Sequence, residues 1–403
     1  MSTATHTTGV PRPHEAAVEV VERKGLGHPD TLADGIAELA SIRYAQYCLE
    51  HFGAVLHHNL DKVAVLGGRA RFGATDGQYD RPLRIVFGGR ASTSFAGQPI
   101  PVREILTAAA HEQLQASLPG YDRATIHVQH ETTDSSKFAH WFAPRHLDDL
   151  PERHTVRSND TALLVGSAPY TRTETAALAA ESFLRTQPWA GSDIKVLAVR
   201  TGCSWELTIC VPALAGTLAS AAEFHEQVTT AATELQRQLT DRLPGQVRVH
   251  ANTRGTAAEP LSSQYFTLTG AAVDYGEDGM VGRGNARSGL ITPAHAAGNE
   301  ALFGKNPAYH VGKVGGWLVD TAAAELAEQF GPARVAAVWQ IGSAYPDPAF
   351  LDVTADTAPA EAEEVARKAL ARTDWLLDLT GAERYRPRIQ PLADLLHRLE
   401  SAP

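Results

Sequence analysis

The segment Glu22-Arg23-Lys24-Gly25-Leu26-Gly27-His28-Pro29-Asp30-Thr31-Leu32-Ala33-Asp34-Gly35-Ile36-Ala37-Glu38 says more about the fold than any other stretch of this chain. Pro29 suits the first turn of a helix, where its missing N–H has no intrahelical partner to lose. Counted from there, Leu32, Ile36 and Leu39 fall on one stripe fit for burial, while Asp30, Asp34 and Glu38 recur every four residues on another. Carboxylates at i and i+4 repel mildly unless a cation meets them. Two readings stay open here. Either a metal or basic side chain meets the row, or the row is a solvated face whose first acid complements the helix dipole and His28 is only a residue near the cap.

Further along, helical periodicity predicts helices over 102–118, 173–186, 221–243 and 360–377, with Thr171 and Glu174 forming a capping box at the second. Alternation predicts strands over 62–66, 83–87, 125–129, 204–211, 246–250, 264–269 and 335–341. Strands and helices interleave without a strict βαβ rhythm, which predicts an α+β fold with helices on one face of mostly antiparallel sheets. Pro/Gly/Asp-rich breaks at 73–82, 143–151 and 255–259 mark soft seams.

The chain has 403 residues, more than one ordinary core holds, so two or three domains are expected. A net charge of −10 excludes a basic footprint for nucleic acid or anionic lipid over the chain as a whole, and any polyanion must be met locally. Cys48, Cys203 and Cys210 are scattered and lack CxxC spacing, which argues against a disulfide framework or structural zinc and fits a reducing cytoplasm. No apolar run approaches the roughly 20 residues that span a bilayer, and the polar start reads as a mobile tail.

A second dense segment, Gly276-Glu277-Asp278-Gly279-Met280-Val281-Gly282-Arg283-Gly284-Asn285, is followed by Gly304-Lys305-Asn306-Pro307 and Gly312-Lys313. Closely spaced glycines let backbone N–H groups converge on an anion, with Arg or Lys as countercharge. The spacing is neither a Walker A loop nor a Rossmann fingerprint, and a tight surface turn is the plainer reading. Ser158-Asn159-Asp160-Thr161 reads as a helix cap or a ligand loop. Lys195 in Asp193-Ile194-Lys195 opens a strand-like segment, and His57 and His58, adjacent on an extended chain, face opposite ways.

Together, GHPD at 27–30, His57 to Asp61, Asn159-Asp160-Thr161, Asp193-Ile194-Lys195, the glycine loop with Gly289-Leu290-Ile291-Thr292-Pro293, and GKNP at 304–307 occur in the order found in S-adenosylmethionine synthetases of the archaeal type, which this chain resembles over about 18–355. The resemblance implies three similar α/β subdomains around a pseudo-threefold axis; a tail over 1–17 is expected before them and a helical segment over 356–403 after them. It implies a homodimer or tetramer that acts on ATP and methionine, with no nucleic acid or membrane partner. In that family methionine sulfur attacks C5′ of ATP, and the released triphosphate is cleaved to phosphate and diphosphate. Mg²⁺, with K⁺ as a second cation, is the implied cofactor.

By the same resemblance, His28, Lys195, Arg283 and Lys305 are the catalytic set, and Asp160, Gly282, Asn285, His310 and Lys313 bind ATP. Asp30 is the Mg²⁺ ligand and Asp61 a second candidate metal ligand. Arg69, Thr133, Glu277 and Asp278 stand where the family holds methionine. Departures concentrate there: Thr132-Thr133-Asp134-Ser135 replaces a Gly-Gln-Gly-Ser segment, Arg69 replaces a His, Glu277 replaces an Asp, and 161–166 departs from the family's gating loop. An acceptor other than methionine, or a non-catalytic nucleotide binder, are the alternatives.

Overall fold

The computed structural model describes residues 3–5, 16–134, 143–150, 155–293 and 295–402. In chain order its main elements begin with β1 (Thr3–Thr5), β2 (Val18–Lys24), α1 (Pro29–Phe52), β3 (Val63–Leu66), β4 (Leu83–Phe87), α2 (Val102–Ser117) and β5 (Ile126–His130). Then come β6 (Ala162–Ala168), α3 (Arg172–Arg185), β7 (Lys195–Thr201), β8 (Ser204–Cys210), α4 (Ala221–Thr240), β9 (Gln246–Ala251) and β10 (Gly279–Met280). The chain closes with α5 (Val311–Phe330), β11 (Ala333–Trp339), β12 (Phe350–Thr354), α6 (Pro359–Leu370), α7 (Trp375–Thr380) and α8 (Leu392–Ser401).

Three four-stranded sheets repeat one pattern, in the orders β5-β4-β3-β10, β9-β8-β7-β2 and β1-β12-β11-β6. At the centre of each is an antiparallel pair, β3 with β4, β7 with β8, and β11 with β12. The second strand of each pair takes a parallel outer neighbour, and the first takes an antiparallel one. The antiparallel outer strand is borrowed in each case: β10, β2 and β6 lie in one sheet and lead into α5, α1 and α3, which pack on another. The architecture is therefore α+β and mostly antiparallel, and each borrowed strand delivers the start of a helix to a junction between units.

Each sheet carries its own core. Leu32, Ile36 and Leu39 of α1 pack with α2 on the first, α3, α4 and α8 cover the second, and α5, α6 and α7 cover the third. The Thr171–Glu174 capping box is present, and Gly53 closes α1 in the left-handed conformation with φ 72°. The long helix expected over 360–377 is two helices, α6 and α7, with the break at 371–374, where the Arg372 and Asp374 side chains pair. The strand expected over 264–269 shrinks to Phe266–Thr267, since Asp274 takes the N–H groups of Leu268 and Thr269. Within the expected tail, Thr3–Thr5 pair in parallel with Phe350, Leu351 and Asp352, and residues 6–15 lie outside the described residues. Among the described residues no helix is long and apolar enough to cross a membrane.

Candidate active site

The carboxylate row of α1 is neither solvated nor a joint metal site. Asp30, Asp34 and Glu38 are all buried, and each is met by a partner distant in sequence. Asp30 Oδ1 accepts from Met280 N at 3.1 Å, Asp34 Oδ1 from Gly282 N at 2.8 Å and Glu38 Oε2 from Gly304 N at 3.2 Å. Lys24 Nζ meets Asp30 Oδ2 at 2.9 Å, and Lys313 forms a buried ion pair with Glu38. The anions toward which the glycine loop turns its N–H groups thus include the helix's own carboxylates. Burial, with Asp30 and Glu38 nearby, raises the Asp34 carboxyl well above its usual range.

At the first turn of α1 one polar group forms. His28 is the N-cap, and its Nδ1 accepts from Asp30 N at 3.2 Å. That bond makes Nδ1 the acceptor, so in the neutral ring Nε2 carries the proton. Burial, helped by the ammonium groups of Lys24 and Lys195 against the pull of Asp30, lowers the imidazole to about 4 and keeps it neutral at pH 7. Burial works against ionised Asp30, but the hydrogen bonds from Lys24 and Met280 N outweigh it and hold its carboxyl low. Lys195 faces Lys24 across the β2–β7 ladder, half exposed, with Nζ 3.2 Å from Glu22 Oε1. Arg283 rises from the glycine loop with its side chain exposed.

A second group surrounds the start of α5. Lys305 Nζ lies 2.5 Å from Glu300 Oε1 and 3.3 Å from Asp61 Oδ2, and Lys62 Nζ approaches that same oxygen at 2.6 Å. His310 caps α5, its Nδ1 accepting from Gly312 N at 3.1 Å, and burial among Lys305, Lys313 and Lys62 pushes its imidazole well below the usual value. Asn159 Oδ1 accepts from Val311 N at 2.8 Å, which brings exposed Asp160 to the same helix end. His58 is buried with Nε2 on Ser41 Oγ at 2.8 Å, whereas His57 stacks on Tyr309. The two groups are joined by α1, along which Asp30 and Glu38 are about 12 Å apart at a rise of ~1.5 Å per residue. Basic groups at both ends of that span suit a chain of phosphates better than a single one.

Several expected site residues are otherwise engaged. The Asn285 amide is spent on the backbone of Lys24, accepting from its N at 3.0 Å and donating to its O at 2.7 Å, so it holds a strand end and presents no free amide. The N–H of Gly282 belongs to Asp34, as above. Asp278 Oδ1 accepts from Gly67 N at 2.8 Å, while Glu277 is exposed. Arg69 turns toward Asp80, 3.9 Å away, and not toward Glu277 or Asp134. Thr133 Oγ1 donates to the Asp134 carbonyl at 2.9 Å, and Ser135 lies outside the described residues. The 162–166 stretch, expected in a gating loop, is part of β6, paired along its length with β11. Lys24, Glu38 and Glu300 join the site without having been singled out for a role in it. The signal for Glu38 was its place in the i,i+4 row, and for Lys24 its place beside the GHPD turn.

Asp30 and Asp61 are the residues here that could hold a divalent cation. Asp61 Oδ1 is buried with no hydrogen bond, and Asp30 Oδ2 already receives a cation in the ammonium of Lys24. Among the described residues no three His, Cys, Asp or Glu side chains converge as a metal cage. A few carboxylate oxygens with no cage fit Mg²⁺, which binds through one or two carboxylates plus substrate phosphates.

The sequence profile described as S-adenosylmethionine synthetase (AdoMet synthetase) matches residues 5–379. Uncharacterized proteins of Streptococcus pyogenes are 36% identical over 353 residues, covering 84% of this chain and 85% of theirs. The S-adenosylmethionine synthase of Thermoplasma acidophilum is 34% identical over 354 residues, with the same coverage, and that of Pyrococcus furiosus is 33% identical over 385 residues, 91% of this chain and 93% of the relative. An unusual S-adenosylmethionine synthetase from Campylobacter jejuni shares the fold with a TM-score of 0.57 over 95% of this chain and 99% of that one, at 14% identity.

Proposed function

We propose that this chain, which belongs to the S-adenosylmethionine synthetase family in its archaeal type, transfers the adenosyl group of ATP to the sulfur of methionine and releases the triphosphate as phosphate and diphosphate. The observation that carries the reading is the pair of basic groups at the two ends of α1, one holding neutral His28 beside Asp30 and Lys195, the other holding Lys305 and Lys62 around Asp61, while Lys313 is buried in its pair with Glu38. A leaving group of such charge needs cations arranged before it arrives, and a nucleophile and carbon held in line. His28 Nε2–H is suited to donate to the ribose or the departing oxygen. Lys195, Arg283 and Lys305 are suited to the phosphates. Asp30 and Asp61 would hold Mg²⁺, which neutralises phosphate charge when bound; K⁺ is a second cation to test.

The sheets repeat one strand pattern three times, which supports a pseudo-threefold arrangement of units. Their faces away from the helices expose Val18, Leu197, Met280 and Phe350, apolar side chains that a second copy of the chain would cover in a cytoplasmic homodimer. Mass spectrometry of the nucleoside formed from ATP, Mg²⁺ and methionine tests the main reading: S-adenosylmethionine is expected, and an unchanged nucleotide pool contradicts it.

A second reading concerns the acceptor. Arg69 is exposed, with Asp80 3.9 Å from its guanidinium, and a guanidinium fork suits a carboxylate or phosphate. An acceptor carrying such a group is therefore the alternative to methionine. Comparing kcat/KM for methionine and its acidic analogues in wild type and Arg69→His decides it: a shift in preference supports the second reading, and no shift removes it.

A further inference from the structure

Lys24, the last residue of β2, is held more firmly than any cation of the first group. Asn285 pins its backbone from both sides, and Thr31 Oγ1 donates to its carbonyl at 3.1 Å. Its ammonium donates to Asp30 Oδ2 at 2.9 Å and to the Arg283 carbonyl at 2.6 Å. Met280 N donates to the other oxygen of Asp30, so the ammonium lies on the carboxylate oxygen that no backbone group holds. A monovalent cation of the chain therefore sits where the reading above needs a divalent one.

We infer that Lys24 is a positioning residue that competes with the divalent cation for Asp30, so that the metal enters together with a polyphosphate and not alone. A lone metal ion would have to break a charge-assisted hydrogen bond and then lie beside the freed ammonium, which opposes it. When polyphosphate arrives as well, the freed ammonium gains an anionic partner and the exchange becomes favourable. Metal and polyphosphate thus reinforce each other's binding, and by linkage each does so by the same factor. While the ammonium stays on Asp30 it also fixes the peptide of Arg283, which keeps the glycine loop in place before substrate binds.

The inference rests on Asp30 as the metal ligand, but its test uses neither nucleotide nor acceptor. Binding of Mn²⁺ alone, and of Mn²⁺ with inorganic tripolyphosphate, is measured by electron paramagnetic resonance of the free ion for wild type, Lys24→Met and Lys24→Arg. Removing a charged hydrogen bond to Asp30 should tighten binding of Mn²⁺ alone on the order of tenfold and reduce the gain from tripolyphosphate in Lys24→Met, while Lys24→Arg keeps both near wild type. A merely structural lysine gives the opposite sign, because loosening the loop weakens Mn²⁺ in both conditions. Mn²⁺ binding to Lys24→Met that is no tighter than to wild type, or an unchanged tripolyphosphate gain, overturns the inference. Circular dichroism checks the fold, and if Lys24→Met does not fold, Lys24→Gln carries the same comparison. Absence of adenosyl transfer would defeat the functional reading without altering these binding results.

Discussion

Asp34 Oδ1 accepts the backbone N–H of Gly282 at 2.8 Å, a bond across 248 residues of sequence that seats the glycine loop on the first helix. Its neighbours Asp30 and Glu38 do the same for Met280 and Gly304, so α1 is a strip of acceptors onto which later segments dock. The fit has little slack. A Cβ on Gly279 would come 1.9 Å from the carbonyl oxygen of Pro29. Gly279→Ala is expected to lift the loop and misplace Arg283. Displacements of about 1 Å at such a site cost on the order of 10²-fold in turnover. Steady-state kinetics check this, and wild-type turnover in a folded variant contradicts it.

His28→Ala should lower kcat by about 10² to 10⁴, the range for a lost acid, base or hydrogen-bond donor at the reacting atoms. Nucleotide affinity should stay largely intact, because the phosphates are met by other residues. Titration calorimetry with ATP beside the kinetics separates the two, and unchanged turnover would leave His28 a cap residue only.

The Glu38–Lys313 pair joins α1 to α5 with both side chains about 1% exposed. Removing one partner strands a buried charge, so Glu38→Gln should cost about 3 to 5 kcal/mol of stability, whereas Glu38→Leu with Lys313→Met should cost far less. Denaturant unfolding of both variants measures the difference; equal losses would show that the pair carries little of the connection.

The first core was largely legible in the sequence, because Leu32, Ile36 and Leu39 advertise a buried stripe and Pro29 its start. Helix α5 was not. Gly312 stood among glycines read as a surface turn or anion loop, but in the fold this helix's glycines let it approach its neighbours: a Cβ on Gly315 would meet the Trp339 ring at 3.0 Å and one on Gly316 the Arg287 side chain at 3.1 Å. Over Val311–Val319 the helix is buried all round and carries no polar face to betray its period. The borrowed strands were hidden for a different reason, since nothing local in β2, β6 or β10 specifies which sheet completes them. At the site, residue types were legible and their partners were not: Asn285 looked like a ligand amide, yet its two bonds go to a strand end.

His295 bridges Glu19 and Glu174, with Nε2 3.4 Å from the first and Nδ1 3.5 Å from the second. Burial alone would depress its pKa, but the two glutamates outweigh burial and raise it to about 9. A group with its folded pKa raised above about 6.5 stabilises fully below that pH and loses its contribution as pH rises through 9. Thermal melting from pH 6 to 10 should therefore fall more steeply for wild type than for His295→Gln above pH 6.5. Parallel curves would contradict a charged His295.

The most direct test of the central claim follows the phosphorus. With ATP, Mg²⁺ and the accepted thioether, ³¹P NMR of the reaction should show phosphate and diphosphate appearing in equal amounts, matched by adenosyl product, because attack falls on C5′ and the whole triphosphate departs. Accumulation of ADP, or of AMP with diphosphate, would place the attack at phosphorus and contradict the account.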